Sequence, residues 1–202
     1  MKLRNAEKRL LIAVSQIIEN EGFSKIGVNK IAKQAKCDKV LIYRYFGGLE
    51  GLLAAWAKDN DFYTLAYQAY SEGVTKAESS EDIIKLTQTV LLKQLNFLRT
   101  NKLMQELLAW ELSGNSTFRS IQDERERNGF KLQEELEKKL GKESKDVRMF
   151  ITILIASINY IVLATRQYRI FNGIDFSNPE AWELCKQTIY KYIRALFENI
   201  LK

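Results

Sequence analysis

Val28-Asn29-Lys30-Ile31-Ala32-Lys33-Gln34-Ala35, then Lys36-Cys37-Asp38, then Lys39-Val40-Leu41-Ile42-Tyr43-Arg44-Tyr45-Phe46 is the stretch on which the fold turns. Val28, Ile31, Ala32 and Ala35 share one face at helical spacing, so the first eight residues predict a helix of barely two turns. Three residues intervene before the next helical run, and Asp38 stands where its carboxylate would cap it. A short helix, a tight turn and another short helix make a helix-turn-helix. Upstream, Ala6, Leu10, Ala13, Val14, Ile17 and Ile18 keep a helical period until Gly22, which predicts a first helix over about residues 5–21.

Downstream, Gly47-Gly48 closes the unit, and one long amphipathic helix is expected from Leu49 through Leu52, Leu53, Trp56, Asn60, Tyr63, Tyr67 and Tyr70. Gly73 and the polar run Lys76 to Ser80 mark a loop. Helical blocks follow at 81–100, 101–113, 116–140, about 144–171 and 178–201, with Pro179 at the first position of the last. With one proline and ten glycines in 202 residues, the chain is ordinary globular sequence biased toward helix. The expected fold is all-α with about nine helices. It comprises an N-terminal three-helix domain, residues 1–47, containing the helix-turn-helix, and a larger helical domain, residues 48–202.

The absence of histidine removes imidazole bases, His-dependent triads and His-ligated metals. Cys37 and Cys185 are too far apart for a CxxC pair or a zinc cluster and read as small apolar core residues in a reducing compartment. No metal or other cofactor is called for. Acids such as Glu106, Glu111 and Asp123 have no spacing that fixes a catalytic pair, so an enzyme is not expected. The opening Met1 to Glu7 is charged and lacks the apolar core of a secretory signal, which gives a cytoplasmic expectation. Met149 to Thr165 holds 17 uncharged residues, but Arg148 and Arg166 bracket it and Thr152, Ser157 and Asn159 interrupt it. It reads as a helix buried inside the protein or in a subunit interface, with no membrane partner. The last helix carries a wide apolar face of Trp182, Cys185, Ile189, Tyr192, Ile193, Leu196 and Ile200. Two such terminal helices predict a homodimer formed through them.

Charge is placed unevenly. Residues 1–50 hold seven Lys and three Arg against five acids, so +5 of the net +6 lies in the first quarter. A basic module on a nearly neutral body is the asymmetry expected of a polyanion binder.

Gly22-Phe23, Val28 to Ala35, and Ile42-Tyr43-Arg44-Tyr45-Phe46 followed by Glu50 and Leu52 together resemble the TetR family of bacterial transcriptional regulators. The resemblance is close over residues 5 to about 55 and beyond that consists only of being helical with two apolar helices at the end. It implies that the helix at 39–45 enters the major groove of double-stranded DNA, with Lys39, Leu41, Tyr43, Arg44 and Tyr45 facing it. Lys and Arg suit phosphates or guanine edges, a tyrosine hydroxyl suits a phosphate oxygen, and leucine suits a thymine methyl. It departs from the family pattern at Gly27, where a hydroxyl residue usually caps the helix, and at Lys36, Val40, Leu41 and Leu49, where glycine, glycine, Thr or Ser, and lysine are common. If Lys36 holds positive φ, the strain is about 1 kcal/mol.

The function implied is a ligand-responsive regulator, most often a repressor in this family, that binds a pseudo-palindromic operator as a homodimer and is released by a small-molecule effector. Half-sites would lie about 34–36 Å apart or a multiple of that. Candidate pocket residues are Trp56, Phe62, Tyr63, Phe97, Met104, Trp110, Phe150 and Asn159, an aromatic lining suited to a hydrophobic or aromatic effector. Asn159, polar inside an apolar run, needs a partner in the core, across a dimer or on a ligand. The competing reading is a helical interaction protein of the same fold that has lost sequence-specific DNA binding.

Overall fold

The computed structural model describes residues 5–112 and 119–200. Among them ten α-helices run in order: α1 (Asn5–Glu21), α2 (Val28–Ala35), α3 (Val40–Phe46), α4 (Leu49–Asn60), α5 (Phe62–Lys76), α6 (Ser80–Thr100), α7 (Lys102–Leu112), α8 (Arg119–Leu140), α9 (Ser144–Ala164) and α10 (Pro179–Ile200). The fold is all-α, as read, with one minimal hairpin of β1 (Ile170–Phe171) and β2 (Ile174–Asp175). The chain divides into two compact units, Met1–Phe62 with Asn101–Arg125, and Tyr63–Thr100 with Glu126–Lys202. That division groups α4 and α7 with the helix-turn-helix rather than cutting the chain once after residue 47.

In the first unit α1 is the central helix, packed against α2, α3, α4 and α7. Its buried face is Leu10, Ala13, Val14, Ile17 and Ile18, the set its periodicity predicts except Ala6, which is half-buried near the start of the helix. Around it close Ile31 of α2, Ile42 of α3, Leu52, Leu53 and Trp56 of α4, and Met104 and Leu107 of α7. The Trp56 indole Nε1 donates to Ser15 Oγ at 2.9 Å, so its polar edge is satisfied inside the core. Phe23 meets Trp56 edge-on at 6.0 Å and stacks on Trp110 at 6.1 Å. Gly51 has a steric reason to be glycine: a Cβ there would lie 1.8 Å from the Phe46 carbonyl oxygen, where α4 leaves the end of α3.

The long helix expected from Leu49 is two helices, because Asp61 adopts an extended backbone (φ −81°, ψ 107°) between α4 and α5. A buried carboxylate with a fixed partner, described below, holds that residue. The block expected over 144–171 also stops early, at Ala164. Beyond it, Asn172 (φ 48°) and Gly173 (φ 77°) form a two-residue turn of the Asn-Gly kind that matches hairpin twist, pairing Phe171 with Ile174. The Asn-Gly signal was present in the sequence; the apolar run before it suggested continued helix.

In the second unit α6 packs on α9 and α10, with Leu91, Leu95, Leu98, Ile158, Val162, Ile189, Ile193 and Phe197 buried. Ser79 and Asp82 form a reciprocal capping pair at the start of α6, Asp82 Oδ2 accepting from Ser79 and the Asp82 N–H donating back to Ser79 Oγ at 3.2 Å. Pro179 opens α10 as expected, and Asn178 Oδ1 accepts the Glu180 N–H at 2.9 Å. Of the apolar face read on α10, Trp182, Ile189 and Ile193 are buried within the chain's own core, while Tyr192 is exposed. Cys37 and Cys185 are free and half-buried rather than fully enclosed.

Candidate functional site

The helix-turn-helix is built by local hydrogen bonding. Lys36 ends α2 in the left-handed region (φ 51°, ψ 49°), and its N–H reaches back to Lys33 O at 3.2 Å. A glycine would hold this conformation without strain, so lysine here costs about 1 kcal/mol. Asp38 Oδ1 accepts the Val40 N–H at 2.9 Å, the capping bond its position predicts. Gly27, by contrast, offers α2 no side-chain cap.

Ile42 is fully buried and fixes the rotation of α3 about its axis. Lys39, Tyr43 and Arg44 are consequently exposed, Tyr43 by 57% even though its ring lies against Gly48; Leu41 and Tyr45 are half-buried. Tyr45 lies edge-on to Phe46 at 6.4 Å. Val40, at 59% exposed, stands with the outward residues and was not among the contacts read from sequence. Its exposure follows once Ile42 is known to point inward. Lys30 of α2 is engaged by Glu21, whereas Lys33 and Lys36 are exposed.

The eight pocket candidates separate by unit. Trp56, Phe62, Met104 and Trp110 belong to the first, where Trp56 and Met104 are fully buried core. Tyr63, Phe97, Phe150 and Asn159 belong to the second, where Phe97 and Phe150 are half-buried. There Asn159 finds its partners in the chain: Tyr63 Oη donates to Asn159 Oδ1, and Gln94 Nε2 donates to the same oxygen at 2.9 Å and to Tyr63 Oη at 3.3 Å. Gln94 was not singled out from sequence, although its place on the buried face of α6 between Leu91 and Leu95 marks a polar residue that must be satisfied. Three helices, α5, α6 and α9, thus contribute to one polar cluster.

A second polar cluster lies in the first unit. Asp61, with no exposed surface, receives Arg125 Nε at 3.0 Å and Nη2 at 2.5 Å, and Arg125 Nη1 reaches Glu111 Oε2 at 2.9 Å. Burial pushes the Glu111 carboxyl up, against the pull of Arg125. Burial also opposes the Arg125 charge, but hydrogen bonding and attraction from Asp61 and Glu111 outweigh it and hold the guanidinium above its ordinary range. Glu111, an acid weighed for catalysis, is therefore committed to an ion pair. Among the described residues no group of three or more His, Cys, Asp or Glu side chains is placed to hold a metal.

The arrangement defines a class: a small helix-turn-helix module exposing cationic and aromatic side chains on its second short helix, attached to a helical body. Residues 11–56 match the family model of bacterial regulatory proteins, tetR family. No curated protein matches the sequence. Solved structures share the fold over nearly the whole chain. A TetR-family transcription regulator from Marinobacter aquaeolei VT8 is 18% identical with a TM-score of 0.60, covering 93% of this chain and 94% of that one. A TetR-family regulator from Streptomyces coelicolor is 13% identical with a TM-score of 0.59, covering 98% and 97%. The multidrug binding protein EbrR, solved with imidazole, is 13% identical with a TM-score of 0.58, covering 94% and 93%. The resemblance to the TetR family is thereby borne out: residues 11–56 match the family's helix-turn-helix model, and the all-α fold of solved TetR-family regulators extends over nearly the whole chain.

Proposed function

We propose that this protein is a transcriptional regulator that binds a pseudo-palindromic operator as a homodimer and is released from it by a small hydrophobic or aromatic effector. It acts by binding and not as an enzyme, in the cytoplasm and without a membrane partner. The observation that carries the reading is the outward set of Lys39, just before α3, and Tyr43 and Arg44 on it, in the segment that matches the family's helix-turn-helix model. Residues 1–47 are assigned to DNA and 48–202 to effector binding and dimerisation. TetR-family regulators bind DNA and are generally dimers with small-molecule effectors, which supports each part.

Dimerisation is assigned to α9 and α10 because Met149, Ile153 and Tyr160 are each more than half exposed, on a stripe completed by Ala156 at spacings of four, three and four. Leu184 and Tyr192 are likewise exposed on α10. A stripe of that period packs against another helix as in a bundle. It also supplies a covering for the one stretch among the described residues long and apolar enough to cross a membrane, in which only 17% of the residues are buried within a single chain, fewer than a helix enclosed in its own core would show. The effector site is assigned to the shortlisted residues of the second unit, Tyr63, Phe97, Phe150 and Asn159, with the Tyr63, Gln94 and Asn159 cluster as the polar anchor.

The test is selection of bound sequences from a random duplex pool by the purified protein, with Lys39→Ala/Arg44→Ala as control. Enrichment of a two-fold symmetric motif, lost in the control, is expected. Failure to enrich would favour the interaction-protein reading, toward which the uncapped Gly27 and the apolar Val40 and Leu41 on α3 point.

A further inference from the structure

Within the second unit, α5 and α8 enclose a half-open pocket of about 200 Å³ lined by Tyr67, Gln68, Ser71 and Glu72 from one helix and Asn128 and Lys131 from the other. It shares no residue with the effector shortlist. Three features of its lining bear on what it takes. Asn128 is 7% exposed, and its side-chain Nδ2 makes no hydrogen bond, which a buried amide rarely tolerates. Glu72 and Lys131 stand on opposite helices and neither forms an ion pair with a described residue, whereas Lys138 and Glu135 further along α8 pair with each other. The remaining polar groups, the Tyr67 and Ser71 hydroxyls and the Gln68 amide, can each donate or accept.

We propose that this pocket binds a small zwitterion, an α-amino acid with a short side chain. The ligand carboxylate would take the Lys131 ammonium and an N–H of the Asn128 amide, whose terminal torsion is soft enough to turn Nδ2 to the pocket face. The ligand ammonium would take the Glu72 carboxylate, with Ser71 and Gln68 beside it. One cation and one anion make the lining neutral overall. A simple anion is attracted by Lys131 and repelled by Glu72, a simple cation the reverse, and only a ligand carrying both charges gains from both walls. Size limits the class further: at about 30 Å³ for each water-sized group, the space holds about seven non-hydrogen atoms. Drug-sized and extended aromatic ligands need a pocket of about 300 Å³ or more. The proposal concerns binding at this pocket and does not depend on whether the chain binds DNA.

The experiment is calorimetric titration and saturation-transfer NMR of the full chain with L-alanine and L-serine, against acetate and methylamine as single-charge probes. Saturable binding of an amino acid is expected, with neither single-charge probe competing at equal concentration. Asn128→Leu, Lys131→Gln and Glu72→Gln should each weaken it about tenfold or more. The latter two replace exposed residues, so they keep the test sound if Asn128→Leu perturbs folding, which the far-UV spectrum and melting midpoint of each variant report. No saturable binding of either amino acid up to about 10 mM overturns the proposal. So does binding unchanged in both Lys131→Gln and Glu72→Gln, and so does acetate binding as well as alanine, which would make the pocket an anion site.

Discussion

Replacing Arg125 by methionine tests whether the buried ion cluster holds the first unit together. The guanidinium makes three hydrogen bonds to two carboxylates, of which Asp61 has no exposed surface and Glu111 very little. Methionine fills similar volume but leaves both acids enclosed without a cation. Breaking one side of a buried pair costs about 3–5 kcal/mol, most of it the desolvation of the charge left behind. At about 2–4 °C per kcal/mol for a chain of this length, the melting midpoint near neutral pH should fall by about 6–20 °C. Lowering the pH from about 7 to about 5 should recover part of that loss, because a buried carboxylate deprived of its partner takes up a proton. The triple variant Asp61→Asn/Glu111→Gln/Arg125→Met should recover more, since no charge then remains inside. Thermal melts followed by far-UV circular dichroism measure all three. A drop of less than about 3 °C in the single variant, or no recovery in the triple, would refute the claim that enclosed charge rather than shape governs this site.

Gly51→Ala should destabilise the DNA-binding module by about 1–3 kcal/mol or more, read as a lowered urea midpoint, because the added methyl meets the Phe46 carbonyl. Glu111 has its folded carboxyl raised above the ordinary 4.5, so the folded state holds the extra proton and stability falls as pH rises through the folded value. Glu111→Gln keeps an oxygen for Arg125 and should flatten that decline in pH-dependent melts. Burial carries the Tyr70 phenol from 10.0 up to about 12, so its contribution is intact below pH 10 and lost as pH climbs toward 12, by about 3 kcal/mol in all. Tyr70→Phe should remove that alkaline slope. Ile153→Glu should give monomers by sedimentation with unchanged helicity; a persistent dimer would place the interface away from α9.

Much of this was legible in the residues because it is local. The period of α1, the Asp38 cap, the left-handed turn at Lys36 and Pro179 at the head of α10 each depend on a few neighbours along the chain. What sequence did not disclose depends on residues far apart. Nothing near Asp61 announces that α4 ends there or that its carboxylate is enclosed with Arg125, 64 positions away. Asn159 was correctly suspected of needing a partner, but Gln94 and Tyr63 could be named only once three helices were placed together. Ile193 and Tyr192 both fall on the wide apolar face read from sequence, and only the packed structure shows that one points inward and the other, about 100° around the helix, outward.

The clasp on Asp61 has a practical consequence at the bench. Exposed cations such as Lys39 and Arg44 act through water, so on the proposed reading their hold on a polyanion would weaken steeply as ionic strength rises. Arg125 and Asp61 face each other out of solvent and are largely unscreened. Salt is thus a selective reagent for this molecule: a wash strong enough to strip nucleic acid during purification leaves the junction between α4 and α5 fastened.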